Sequence, residues 1–182
     1  MLPDRITTLP VVLRPFVPAD ALRVEAMCGD SAVALLTASI PHPYPSGAAA
    51  AWIATHEAER DAGTAWTYAI TDVHGDVLVG AIDLRLGVDP NGNIGYWIGR
   101  PYWGRGYATL ALRALVAMAF LGLDADAYSA IHLTRNRASG RVLQKCGLTL
   151  AGRECRRHRG GPEEEICLWS ITRAQWSLQR AA

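Results

Sequence analysis

The chain has 182 residues, half of them hydrophobic and 19% charged, with a formal net charge of +1. A mean hydropathy of +0.08 supplies enough apolar material for a core and excludes the low-hydropathy, high-charge class of disordered chains. With a pI near 7.7 there is no global basic field for nucleic acid or an anionic membrane.

Val11-Val12-Leu13-Arg14 reads as a first strand, ended by Pro15. Asp20 precedes a helical pattern through Leu22, Val24 and Met27. In Ile40-Pro41-His42-Pro43-Tyr44-Pro45 three prolines remove donors and restrict their neighbours, which gives an ordered loop or extended segment. Ser46 is placed to cap a helix from Gly47 to Asp61 that runs over Ala50, Trp52, Ile53 and His56. Strands follow at Ala65–Thr71 and Val77–Leu86 around the turn Asp72–Asp76, then at Asn93–Gly99 after Asp89-Pro90-Asn91-Gly92. Tyr107 to Leu121 is a helix with Leu110, Leu112, Leu115, Val116, Ala119 and Phe120 on one wide apolar face. Ala127–Thr134 is a strand, and Ala138–Lys145 a short helix closed by Gly147. Leu148–Arg157 and Glu163–Thr172 are strands joined across Gly160-Gly161-Pro162. This order describes a mixed α/β sandwich around one sheet, a single domain over residues 1–182.

The longest apolar run, Ala114 to Leu123, is too short to cross a bilayer and contains Gly122. The start, Met1-Leu2-Pro3-Asp4-Arg5-Ile6-Thr7, lacks the basic and apolar stretches of a signal peptide, so a cytoplasmic protein is expected. Cys28, Cys146, Cys155 and Cys167 form no C-x-x-C pair and have no histidine at zinc-finger spacing, so no metal is expected. Cys155 and Cys167 lie symmetrically about Gly161, and a hairpin turning there sets them opposite each other. Without export, free thiols packed as small hydrophobes are expected. Trp52, Trp66, Trp169 and Trp176 fall at strand and helix spacings that suit core or subunit contacts.

The segment Ile94-Gly95-Tyr96-Trp97-Ile98-Gly99-Arg100-Pro101-Tyr102-Trp103-Gly104-Arg105-Gly106-Tyr107-Ala108-Thr109 runs from a strand through a glycine-bearing turn directly into a helix. The first amides of a helix have no carbonyl partner within it. With the positive end of the helix dipole they form an anion site, and Arg100 and Arg105 add charge. The same residues also suit a tight strand-to-helix connection with surface arginines. A dinucleotide fold is the rival use of these glycines, with Asp124 about twenty residues beyond Gly104. That pattern needs its glycines immediately after the strand and a Gly or Ala where Thr109 stands. Here Arg100-Pro101-Tyr102-Trp103 intervenes, and the dinucleotide reading is rejected.

These motifs, with Asn136-x-x-Ser139 leading to Val142-Leu143-x-Lys145-x-Gly147-Leu148, resemble the GCN5-related N-acetyltransferases (GNAT). Within that family the chain is most similar to the ribosomal-protein N-terminal acetyltransferase branch, an impression strengthened by Leu13-Arg14-Pro15 with Asp20-Ala21 and by Pro41-x-Pro43-Tyr44-Pro45. The resemblance implies an α/β (α+β) GNAT fold, with a mixed central sheet of about seven strands and helices on both faces. It implies acetyl-CoA as co-substrate, with Trp103, Gly104, Arg105, Gly106, Tyr107, Ala108 and Thr109 around the pyrophosphate. Trp97, Ile98 and Gly99 would lie along the pantetheine, and Asn136 and Ser139 would flank pantetheine and thioester. Asn136 also suits a plain helix cap. A homodimer is compatible with the resembling branch.

Direct acetyl transfer needs an unprotonated amine, and an α-amino group with a pKa of about 7.7–8.0 makes that a modest demand. A backbone N–H at the end of the Asn93–Gly99 strand is the expected oxyanion donor. Two positions depart from the family's commonest pattern: Asn93 stands where many relatives carry Glu, and Leu143 where many carry the Tyr that protonates the thiolate. Ser139 is then the hydroxyl near the sulfur. His158 falls near the branch's general-base position and titrates in a suitable range, but equally suits a solvated hairpin tip, and Glu165 is another carboxylate on that hairpin. His42 and Tyr44 are the candidates for shaping the acceptor pocket. The expected acceptor is a primary amine, a protein N-terminus or a small molecule. The departures at Asn93 and Leu143 keep open a non-catalytic acyl-CoA-binding module.

Overall fold

The computed structural model describes residues 2–87, 92–157 and 161–181. Alternation along each strand sends one set of side chains to each face of the sheet. In β3 (Ala65–Asp72), Trp66, Tyr68 and Ile70 enter the larger core, while Ala69 faces the other side. In β4 (Val77–Arg85), Ile82 and Leu84 join the larger core and Ala81 the smaller one. The larger core is closed by α4 (Tyr107–Gly122), whose Ala111, Leu112, Leu115 and Ala119 are completely buried. The smaller core lies under α1 (Ala21–Cys28), α2 (Ser31–Ala34) and α3 (Ala48–Asp61).

The sheet has eight strands among the described residues, against the seven read from sequence. The addition is β1 (Ile6–Thr8), a three-residue edge strand antiparallel to β2 (Val11–Arg14). It has too few residues to display a period. The spatial order is β1-β2-β3-β4-β5-β6-β8-β7, with β5 (Gly92–Ile98), β6 (Ala127–Leu133), β7 (Thr149–Arg157) and β8 (Glu163–Thr172). Every neighbouring pair is antiparallel except β5 and β6, which α4 connects as a crossover. The polar α6 (Arg173–Ala181) follows β8 and is anchored by Trp176, whose ring lies 5.2 Å from that of Phe120. None of the described helices is long and apolar enough to cross a membrane.

Local chemistry corrects two expectations. Ser46 does not cap α3: Gly47 occupies the cap at φ 76°, where a side chain is strained, and its N–H donates to Glu25 Oε1 at 2.7 Å. Asp20 precedes α1, as expected, and its side chain turns back to accept two hydrogen bonds from Arg14 at 2.8 and 3.1 Å and one from Val17 N–H at 2.9 Å. Removing one partner of so buried a pair costs about 3–5 kcal/mol. The β7–β8 register sets Cys155 opposite Glu165 and Cys167 opposite Arg153, so the two thiols do not face each other. All four cysteines are free, three of them buried and Cys155 exposed. Gly147 ends α5 (Arg137–Lys145) at φ 84°, as expected, with Leu148 N–H bonded to Leu143 O at 3.1 Å. The expected turns at Asp89-Pro90-Asn91 and at Gly160 lie outside the described residues.

His56 sits on the buried face of α3 between Phe16 and Trp52, with ring centroids 5.3 and 4.5 Å away. Neither ring nitrogen has a hydrogen-bond partner. Burial lowers its pKa to about 4, with Glu59 opposing and Arg85 and Arg60 adding to the shift. Between that value and the ordinary 6.5 the unfolded chain binds the extra proton, so stability falls as the pH is lowered through this window. The full effect is about 3 kcal/mol. Chemical denaturation between pH 4 and 7 is expected to show this loss in the parent protein and a flatter profile in His56→Leu. Parallel profiles would remove His56 from the acid sensitivity.

Candidate active site

The parallel pairing of β5 with β6 lasts for two residue pairs, Gly92 with Tyr128 and Asn93 with Ser129. At the second pair the Asn93 side chain donates to Ser129 Oγ at 3.2 Å, so the position where a carboxylate was the family expectation serves as a fastener. Beyond it β5 continues along β4 as far as Ile98, and β6 along β8 as far as Leu133. The two strands therefore part, and residues 94–98 have no strand partner on the β6 side. A cavity of about 1000 Å³ occupies this opening. Its walls include Tyr96 and Ile98, packed against the larger core, and Ala81 and Trp97 of the smaller core, so it passes through the sheet from one face to the other.

At one end the chain turns from β5 into α4. Gly104 and Gly106 have φ of 75° and 84°, and a Cβ on either would meet nothing within 4 Å. Gly106 is the N-cap residue, and the first helical bond runs from Leu110 N–H to Gly106 O at 3.1 Å. The amides of Tyr107, Ala108 and Thr109 precede that rung and border the cavity. Trp103 fixes the turn by donating its indole N–H to Ile98 O at 2.7 Å. Arg23 donates to Leu78 O at 2.7 Å and to the Tyr102 hydroxyl, and the guanidinium groups of Arg23 and Arg105 lie 5.8 and 5.7 Å from the Tyr102 ring centre. Tyr107 donates its hydroxyl to Asp72, which holds that carboxyl below its usual range and the phenol above its own.

The middle of the cavity is bordered by the start of α5. Asn136 is the helix cap, accepting from Ser139 N–H at 3.1 Å, and it also donates to Leu36 O at 3.0 Å. Ser139 Oγ lies 2.6 Å from the Tyr96 hydroxyl, which also approaches Ser139 O at 3.2 Å. Burial raises the Tyr96 pKa, so its phenol keeps its proton at neutral pH. Leu143 is completely buried in the larger core. Behind α5, His132 donates from Nδ1 to Leu133 O at 2.9 Å, since a carbonyl only accepts, while its buried Nε2 has no partner.

The other end lies on the α1–α3 side. Tyr44 and Trp52 form part of its wall, with Cys28, Thr67, Asp83 and Arg85. Burial pushes the Tyr44 phenol and the Cys28 thiol each up to about 12, so both are neutral donors at physiological pH. Asp83 Oδ2 accepts from Arg85 Nε at 2.7 Å, and Arg85 Nη1 reaches Glu59 at 3.0 Å. Burial raises the Asp83 carboxyl above its ordinary value, against the pull of Arg85 and the Gly95 N–H.

The structure thus brings Trp97, Ile98, Trp103, Gly104, Gly106, Tyr107, Ala108, Thr109, Asn136, Ser139 and Tyr44 to one cavity. Gly99 is not on its wall: a Cβ there would lie 2.4 Å from Met27 Sδ, and its N–H is bonded to Val79 O at 2.9 Å. That amide is therefore not available as an oxyanion donor. Arg105 and His42 are exposed and off the wall, and His158 lies outside the described residues. Trp66 is buried, whereas Trp52, Trp169 and Trp176 are partly buried against the cores. Glu165 is engaged with Thr134 Oγ1 at 2.9 Å. Sequence reasoning missed Asp83, Thr67, Tyr96 and His132. A single carboxylate inside the apolar run Val77–Leu86 was the available signal for the first. Among the described residues no group of three or more His, Cys, Asp or Glu is placed to hold a metal ion.

The sequence profile of the "Acetyltransferase (GNAT) domain" matches residues 11–149. The chain belongs to the GNAT acetyltransferase family, and acetyl transfer is its activity at that level. Its fold is shared with the ribosomal-protein-S5-alanine acetyltransferase from Vibrio fischeri (TM-score 0.80, 17% identity, 94% of this chain and 98% of that one). It is shared with the microcin C7 self-immunity acetyltransferase MccE in complex with acetyl-CoA and AMP (0.79, 16%, 91% and 93%). It is also shared with RimL, a ribosomal-protein α-N-acetyltransferase in complex with coenzyme A (0.78, 17%, 92% and 97%). A comparison with curated protein sequences gives no significant match.

A side chain at position 106 meets the left-handed strain of about 1–2 kcal/mol and projects into the cavity mouth. Gly63, at φ 68° with nothing within 4 Å, meets the same strain away from the cavity. Gly106→Val and Gly63→Val are expected to lose similar stability, but only the first to bind coenzyme A at least tenfold more weakly by calorimetry. Unchanged affinity in Gly106→Val would remove this turn from coenzyme A binding.

Proposed function

We propose that the chain is an acetyl-CoA-dependent N-acetyltransferase that moves the acetyl group directly to a primary amine, a protein N-terminal α-amine or a small-molecule amine. One observation carries the reading: an unpartnered strand edge, a helix start with free leading amides and a cavity through the sheet meet at one place. The β5 edge suits the amides of a pantetheine arm, which mimic a neighbouring strand. The turn from Trp103 to Thr109 suits its diphosphate, and Ser139 the thioester end.

The chemistry asked of the protein is modest. An α-amine with a pKa of about 7.7–8.0 is partly deprotonated near neutrality. The departing thiolate benefits from a donor, and the Ser139 hydroxyl, backed at 2.6 Å by a protonated Tyr96, suits that task. Leu143 lies in the core and takes no part, so Tyr96 brings the phenol from β5 instead of α5. The fold neighbours named for ribosomal-protein acetylation support an N-terminal acceptor.

The test is release of free thiol from acetyl-CoA with a panel of peptides and amines. Turnover with a primary amine is expected, and Ser139→Ala is expected to lower the rate by roughly 10²-fold. Tight coenzyme A binding with no turnover on any acceptor would contradict the proposal and favour the non-catalytic module.

A further inference from the structure

On the α1–α3 side of the sheet, Thr67, Asp83 and Gly95 stand directly opposite one another on β3, β4 and β5. Residues paired this way project from the same face. The hydroxyl and carboxylate are therefore neighbours, and the third position in the row carries no side chain. The Asp83 carboxylate takes up that space: a Cβ on Gly95 would lie 2.6 Å from Asp83 Oδ1. All three residues border the cavity.

Thr67 Oγ1 is buried with no hydrogen-bond partner, in a residue only 3% exposed. A buried hydroxyl without a partner is costly, and its place on a cavity wall points to a polar ligand atom. The charges nearby are also out of balance. Asp83 and Glu59 share the single guanidinium of Arg85, at 2.7 and 3.0 Å, and the second Glu59 oxygen has no partner. Arg60, the next cation on α3, is paired with Asp4 at 3.0 Å. Two carboxyls thus rest on one guanidinium.

We infer that Thr67 and Asp83, side by side on this wall of the cavity, form the subsite for the acceptor, binding its primary ammonium group before transfer. This rests on the N-acetyltransferase reading above and adds where the amine is held and by what. An ammonium supplies a charge partner to Asp83 and a donor to Thr67 Oγ1. Burial raises the Asp83 pKa against the pull of Arg85 and the Gly95 N–H, and a neighbouring ammonium would lower it again. The preferred acceptor therefore reaches the cavity with its amine still charged, and acceptors with a carboxylate close to the amine are disfavoured by Asp83 and Glu59.

Coenzyme A alkylated on sulfur separates this from the parent reading. The 2-aminoethyl and 3-aminopropyl derivatives carry an ammonium beyond the sulfur, and the propyl and butyl derivatives match them in shape without charge. Calorimetry at pH 7.5 is expected to show at least one amino derivative binding about tenfold more tightly than its uncharged match. Asp83→Asn should abolish that preference and leave the affinity for the propyl and butyl compounds unchanged. Thr67→Val, which keeps the shape of the residue, should reduce the preference about threefold. Binding of the alkyl compounds without any charge preference, or a preference that survives Asp83→Asn, would overturn this subsite and leave the coenzyme A reading intact. Failure of all four compounds to bind would overturn both.

Discussion

The active end of this molecule depends on the brevity of one strand pairing. β5 and β6 are the only parallel neighbours in the described sheet and share two residue pairs before separating. Each is held to its outer neighbour along nearly its whole length, so neither can close the opening without breaking an antiparallel ladder. The Asn93–Ser129 contact at 3.2 Å marks where pairing stops. A backbone edge left without a partner, next to water or a cavity, is a site for another extended chain with amide groups. Everything else in the site is arranged around that edge.

The opening also joins two environments that the sheet otherwise separates. On the α4 and α5 side stand free helix amides and the Tyr96–Ser139 pair. On the α1–α3 side stand aromatic and neutral donors, with one buried carboxylate whose counter-charge is shared. A donor molecule with a negatively charged head and an acceptor with a positively charged amine therefore suit opposite mouths of one cavity. In the proposed reading their reactive ends would meet where the strands part, as direct transfer requires. Packing fixes the geometry: Gly99 is pressed against Met27, Trp103 is bonded to Ile98, and Asn136 ties α5 to the segment at Leu36.

What could be read from the sequence was whatever local chemistry controls. Gly104, Gly106 and Pro101 dictate the path from β5 to α4 whatever surrounds them, and α4 announces itself through its apolar face. The α/β order followed from strand and helix periods, and the helices on both faces from the resemblance to the GNAT family. Cross-strand neighbours were not readable, because register is set by packing and turn geometry and not by either strand alone. A hairpin centred one residue earlier than expected moves Cys155 from Cys167 to Glu165. The same ignorance concealed the row from Thr67 to Gly95, three unremarkable residues until the ladders align them. In the proline-rich loop the sequence marked His42 and Tyr44 alike, and only Tyr44 reaches the cavity.

Backbone amides at the start of α4 are the contact on which the account stands, and they can be observed one by one. Coenzyme A titrated into uniformly ¹⁵N-labelled protein and followed by amide chemical shifts tests it directly. The account predicts the largest saturable shifts at Gly104, Gly106, Tyr107, Ala108 and Thr109, with smaller ones along 94–98. Saturation with those amides unmoved and the shifts gathered on another part of the surface would contradict it.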